Sequence, residues 1–336
     1  MPANQENTTS IETVGVLPQP QGQMADYLSL ARFDHVTKHV FILPGLILAC
    51  ALTAPDFASL AINIPVGLLS AVCIASANYV INEWLDRERD AAHPTKSKRR
   101  AVVVEMQPRI VYGEYLLLAI AGLLLAAVIG KLFFATSVLF LLSGIVYNVE
   151  PIRAKDKPYL DVLTECLNNP IRFLLGWAIV DQVTLPPISV LAAYWMAGAF
   201  LMAAKRLGEY RDIASHAGVA VLKKYRRSFE YYTEESLTVS CFVYAMMTAF
   251  LLGVFLVKYR VEYILVFPFI SGLFAVYLWL ATRPGSVVQR PERLFHSRRL
   301  DVMLALTVIV FLFASFVDVP ILDFMAASFL VPVSSL

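Results

Sequence analysis

The chain has 336 residues, of which 58% are apolar and 16% charged, against about 45–50% and about 25% in an ordinary soluble domain. Its mean hydropathy is +0.64 and it carries 21 Phe and 15 Tyr. That excludes a water-soluble enzyme, and it excludes a disordered chain, which is poor in such residues. A formal net charge of +2 is too balanced for a nucleic-acid protein, so where the charges sit matters more than their sum.

Residues 1–30 are polar, carry Pro and Gln, and lack an apolar stretch behind a basic start. They read as a disordered cytosolic tail without a cleavable signal peptide. A membrane-spanning helix needs about 20 mostly apolar residues. Nine segments meet this, near 39–55, 59–83, 108–130, 132–147, 159–181, 188–207, 234–257, 261–282 and 300–317. The fold expected is therefore all-α, a nine-helix transmembrane bundle over 31–318. Residues 319–336, interrupted by Pro320, Asp323 and Pro332, read as an interfacial C-terminal tail. Gly130-Lys131 calls for a tight hairpin between the third and fourth spans. The four cysteines lie apart in apolar stretches, as reduced thiols with no disulfide or zinc pattern would.

Twenty-one of the 28 Lys and Arg residues fall in the loops after spans two, four, six and eight. Only Lys131, Lys258 and Arg260 fall in the loops after the odd-numbered spans. The positive-inside rule places the basic loops and the N-terminus in the cytoplasm, with the chain an integral protein of the inner (plasma) membrane.

The second span ends in Asn78, Asn82, Asp86 and Asp90, four residues apart. On a helix they stack along one face, with about 18 Å between first and last. Stacked carboxylates repel, and a hard cation relieves that. Mg²⁺ takes oxygen ligands, typically one or two carboxylates plus substrate phosphates. A solvated acidic helix end is the plainer reading. Next come His93-Pro94-Thr95-Lys96-Ser97-Lys98-Arg99-Arg100, where His93, Lys96 and Arg100 could contact phosphate or simply set topology. The loop Tyr147–Pro158 adds Arg153 and Lys155. Asp161 and Glu165 follow four residues apart, then Asn168, Asn169 and Arg172. Polar groups at that depth mark a functional or pairing site. The sixth span leaves through Lys205-Arg206-Leu207-Gly208-Glu209. Lys38, just before the first span, either snorkels to headgroups or faces substrate.

Asn82-Glu83-x-x-Asp86-x-x-x-Asp90 resembles the first Asp-rich motif of the UbiA superfamily, NDxxDxxxD, with Glu83 replacing an Asp. Tyr147-Asn148-x-x-Pro151-Ile152-Arg153-x-Lys155 resembles its YSxPPxRxK loop. The resemblance covers the chain after residue 30. It implies a Mg²⁺-dependent intramembrane transferase in which Asn82, Asp86 and Asp90 hold the metal against a soluble or lipid diphosphate donor. Lys96, Arg153 and Lys155 would neutralise phosphate, and Glu209, Asp161 or Tyr147 would orient the acceptor or a ribose. The usual second Asp-rich motif is replaced by Lys205-Arg206-x-x-Glu209. That is similar to the decaprenyl-phosphate phosphoribosyltransferase branch, as are His93-Pro94-Thr95-Lys96 and Lys38. The branch implies phosphoribosyl diphosphate as donor and a polyprenyl phosphate as the lipid acceptor. The Pro151-Ile152-Arg153 loop is equally close to prenyltransferases acting on aromatic or lipid acceptors. A transporter would instead call for mid-membrane charges and paired broken helices.

Overall fold

The structure, a computed structural model, describes residues 20–53, 55–91, 96–216, 218–220, 222, 226–283 and 297–326. Among the described residues thirteen α-helices follow in chain order. They are α1 (Met24–Leu30), α2 (Leu43–Leu52), α3 (Phe57–Asp90), α4 (Arg100–Val103), α5 (Pro108–Ile129), α6 (Lys131–Asn148) and α7 (Leu160–Cys166). Then come α8 (Asn168–Val180), α9 (Ile188–His216), α10 (Glu234–Tyr259), α11 (Phe267–Ala281), α12 (Arg298–Phe316) and α13 (Pro320–Ala326). Among the described residues β pairing is confined to one isolated bridge, Gln21 with Glu105.

The all-α membrane architecture is as expected, but the spans differ in detail. Among the described residues seven stretches of helix are long and apolar enough to cross a membrane. An eighth is possible if the pair 24–35 and 38–52, bent by 48°, forms one span. The expected span 159–181 is divided into α7 and α8 at Leu167. Pro170 explains the break: its ring nitrogen cannot donate to the Cys166 carbonyl, and the ring crowds it. This segment is also the most enclosed. Pro170 to Phe173 and Leu175 to Ile179 are buried, so its polar residues face neighbouring helices.

Apolar periodicity decides which face meets lipid. On α5, Leu117, Leu124 and Val128 are 66–71% exposed, while Val111, Ala119, Gly122 and Ala126 are buried. The interior is built from Ile42, Ala71, Ile74, Phe133, Phe140, Ile171, Leu175 and Ile179. The hairpin expected at Gly130 is present, with Gly130 at φ +152°, a conformation that favours glycine. No side chain of its own caps α6. Gln182 Oε1, from beyond α8, instead accepts from the Leu132 and Phe133 amides at 3.1 and 3.4 Å.

Helices α2 and α8 cross almost backbone to backbone. A Cβ on Gly45 would lie 1.9 Å from the Phe173 carbonyl oxygen, and one on Gly176 would lie 2.0 Å from that of Ile42. Small residues allow such close crossings in membranes. Gly176→Ala is expected to force the pair apart, at about 1–3 kcal/mol, read as a lower melting temperature of the detergent-purified protein.

The N-terminal expectation is corrected in part. Residues 24–30, read above as disordered, form α1. Its Tyr27 and Leu30 pack with Val80, Trp84, Val104, Met106 and Val111, and Tyr27 Oη accepts from the Gln107 amide at 2.9 Å. Two apolar residues a turn apart suffice to dock it. Residues 1–19 lie outside the described residues. So does the C-terminal tail beyond 326; its first part is α13. All four cysteines are free, Cys166 and Cys241 being buried.

Candidate functional site

Helix α3 runs unbroken for 34 residues to Asp90, so the whole ladder of Asn78, Asn82, Asp86 and Asp90 stands on one helix. Facing it is the segment after α6. Arg153 adopts φ +30°, which turns its side chain inward; it is 6% exposed. Arg153 Nη2 lies 2.7 Å from Asp86 Oδ1, and Lys155 Nζ lies 2.6 Å from the same oxygen. Arg153 is braced by the Asn148 carbonyl at 2.9 Å and by Asp156 at 3.0 Å. Asp156 is also held by Arg89. Asn82 Nδ2 donates to Asn148 Oδ1, which also accepts from Lys155 at 2.8 Å. Burial and the neighbouring Arg153 push the Lys155 ammonium down to about 8, against the opposing pull of Asp86.

Asp90 is covered from the other side. Arg99 Nη1 lies 2.6 Å from it and Lys96 Nζ 3.7 Å. Arg99 was not singled out in the sequence. Its adjacent twin Arg100 was, and it is directed away from Asp90. Arg100 is 60% exposed and pairs with Asp26 of α1 at 3.5 Å. Helix α4 starts at Arg100, and the chain direction there turns Arg99 inward and Arg100 outward. His93 lies outside the described residues.

A second charged cluster sits where α7 meets α9. Arg206, 3% exposed, reaches Glu165 at 2.7 Å, Glu209 at 3.1 Å and Asp161 at 3.4 Å. Tyr147 Oη donates to Glu165 at 2.8 Å. Asp161 is fully buried and has four donors: Tyr232 Oη at 2.6 Å, Ser228 Oγ at 3.1 Å, Arg226 at 3.3 Å and Arg206. Both of its oxygens are committed to these neighbours. Arg226 and Glu165 are therefore members that the sequence reading left out of the site. Glu165 had a signal, its four-residue spacing from Asp161. Arg226 had none, being one of several cations in a long loop.

The two clusters adjoin. Lys96 feels Arg226 and Glu209 as well as Asp90, and burial together with Arg226 lowers its affinity for a proton. Lys155 lies 5.7 Å from the Tyr147 ring. Lys38 Nζ sits 5.2 Å from the Tyr79 ring of α3. Lys205 is half-buried on α9 beside Arg206. Asn78, by contrast, ties α3 to α6: its Nδ2 donates to the Phe140 carbonyl at 2.8 Å, and Gly144 leaves room for its other end.

Among the described residues no three His, Cys, Asp or Glu side chains converge as a metal site. The donor set of the ladder nevertheless suits Mg²⁺: one amide oxygen and two carboxylates on one helix face, leaving positions for phosphate oxygens. Asp86 and Asp90 are each paired with two cations.

The fold and the charged mouth define a multi-pass helical membrane protein whose polar residues gather at one end of the bundle. The chain belongs to the UbiA prenyltransferase family, whose model matches residues 41–298, and is an enzyme of that transferase family. It is similar to the structure of a UbiA homolog from Archaeoglobus fulgidus bound to GPP and Mg²⁺. The TM-score is 0.64 and the identity 21%, over 86% of this chain and 98% of that one. A UbiA homolog from the same organism bound to DMAPP and Mg²⁺ gives 0.62 and 21%, over 86% and 99%. A structure of digeranylgeranylglyceryl phosphate synthase gives 0.59 and 14%, over 87% and 98%. At these identities the likeness is one of fold. Comparison with curated proteins gives no match.

Proposed function

We propose that the chain is a Mg²⁺-dependent transferase that moves a 5-phosphoribosyl group from phosphoribosyl diphosphate to a polyprenyl phosphate. The observation that carries this reading is the pair of adjoining cation clusters. One, Lys96, Arg99, Arg153 and Lys155, surrounds the carboxylate ladder. The other, Lys205, Arg206 and Arg226 interleaved with Asp161, Glu165 and Glu209, stands where a second acidic motif is usual. A prenyl diphosphate has one phosphate group cluster and an apolar tail. Phosphoribosyl diphosphate has two separated phosphate groups, and the second cluster brings cations to a place apart from the ladder where a 5-phosphate lies.

In this reading Asn82, Asp86 and Asp90 hold Mg²⁺, which supplies charge neutralisation to the departing diphosphate. Arg153 and Lys155 bind the diphosphate oxygens, with Lys96 and Arg99 at its far side. Such fixed charges act on the transition state without reorganising. Lys205 binds the 5-phosphate, beside Arg206, whose guanidinium is held by Glu165, Glu209 and Asp161. Tyr147 and Glu209 line the space between, where the ribose lies. An acceptor phosphate oxygen attacks the anomeric carbon as its bond to diphosphate breaks, so no general base is needed. The basic loops are on the cytoplasmic side of the plasma membrane, where a water-soluble donor meets a lipid acceptor. The transferase unit is 31–318.

The second reading, a prenyltransferase, is favoured by the Tyr147–Lys155 loop and by the DMAPP and GPP bound to the Archaeoglobus homologs. Purified protein given both labelled donors, with decaprenyl phosphate and an aromatic acid as acceptors, separates the two. Turnover with phosphoribosyl diphosphate that stops on chelating Mg²⁺ is expected. Turnover confined to a prenyl diphosphate would replace the first reading with the second.

A further inference from the structure

Arg172 is not used by the mechanism above. It lies on α8 in the bundle interior, 6% exposed, with its guanidinium 4.9 Å over the Phe140 ring and within reach of Tyr79 and Tyr194. Its Nε has no partner; the rest of the guanidinium makes a long hydrogen bond, 3.5 Å, to the Asn168 carbonyl and one to the Tyr79 side chain. The carboxylates on the adjoining helix α7 serve other cations: Asp161 and Glu165 bind Arg206 and Arg226. Among the described residues no carboxylate pairs with Arg172. His39, 9% exposed, also has an unpartnered ring nitrogen and lies within electrostatic range of Arg172 and Lys38. Lys38 and Arg172 thus both face Tyr79. Tyr79 is seven residues before Asp86, about 10 Å deeper along α3.

A buried cation without a counter-charge is costly, and a fold keeps one where a ligand supplies the missing charge. We propose that Arg172, with His39 and Lys38, forms a second anion subsite that takes the charged headgroup of the acceptor, a phosphate or a carboxylate. The proposal rests on reading the site as a transferase that needs an acceptor. The depth separates this subsite from the diphosphate at the ladder, and the aromatic rings around it suit a group that arrives from the apolar interior. The guanidinium fork pairs with two oxygens of either anion.

The test is binding to the purified full chain in detergent, without donor or Mg²⁺, of decaprenyl phosphate, the uncharged polyprenol of equal length, and 4-hydroxybenzoate. The wild type is expected to prefer an anionic ligand over polyprenol by about tenfold or more, the scale of a charge-assisted hydrogen bond. Arg172→Gln should erase that preference, and His39→Gln should weaken it, with binding of inorganic diphosphate and Mg²⁺ unchanged. Melting of the ligand-free protein separates this from a structural role: Arg172→Gln should hold or raise the melting temperature. A retained preference in Arg172→Gln, or no preference in the wild type, would overturn the subsite. So would a large fall in melting temperature with anion binding intact. Selective binding of 4-hydroxybenzoate would keep the subsite and remove the phosphoribosyl reading. Failure of turnover with phosphoribosyl diphosphate leaves these binding results untouched.

Discussion

Asp86→Asn is expected to lower turnover by about 10²–10³-fold or more while the protein remains folded. Asp86 is the point where the ladder and the Tyr147–Lys155 loop touch, through Arg153 at 2.7 Å and Lys155 at 2.6 Å. Asparagine keeps an oxygen to accept from both. Arg153 retains Asp156 and the Asn148 carbonyl, and Lys155 retains Asn148 Oδ1. The buried cations are therefore not stranded, and the melting temperature should change little. What is lost is the charge that draws a divalent cation and competes for it against two neighbours. Turnover and Mg²⁺ titration on the same preparation check this. Near wild-type activity with Mg²⁺ still required would remove Asp86 from the metal set.

Arg206→Ala has the opposite profile, a loss of structure before a loss of chemistry. One guanidinium serves Asp161, Glu165 and Glu209, from two helices. Removing it leaves several enclosed carboxylates with fewer counter-charges, a change that costs about 3–5 kcal/mol when one partner of a buried pair is deleted. Asp161 keeps Arg226, Ser228 and Tyr232, so the deficit falls mainly on Glu165 and Glu209. Arg206→Lys preserves the charge but not the three-way fork, and should lie between. Thermal melts of the three proteins decide it: equal stability of Arg206→Ala and wild type would make Arg206 a substrate contact only.

The bundle was legible because apolar runs of spanning length are hard to disguise, and the four-residue spacing of the ladder is a helical period that needs no tertiary information. The Asp86–Arg153–Lys155 contact was readable in kind, since two motifs of opposite charge invite pairing. Other features depended on the third dimension. Whether Arg99 or Arg100 faces Asp90 is decided by the start of a four-residue helix. Asp161 is spaced as a ligand would be, but Ser228 and Tyr232, far along the chain, close over it. The break at Leu167 follows from Pro170, yet the apolar residues around it read as one continuous span. Asn78 is in phase with the ladder but is spent on helix packing, because Gly144 lets its amide approach α6.

Helix α3 has a consequence beyond the ladder it carries. At 34 residues it is about 51 Å long, against a hydrocarbon layer of about 30 Å. Its surplus must stand clear of the acyl chains or be absorbed by tilt. The loop that faces Asp86 hangs from α6, which has only 18 residues and no comparable surplus. A thicker bilayer and a thinner one would therefore tilt the two helices by different amounts. The ion pairs of Asp86 with Arg153 and Lys155 resist that difference and hold the two helix ends in register at the mouth.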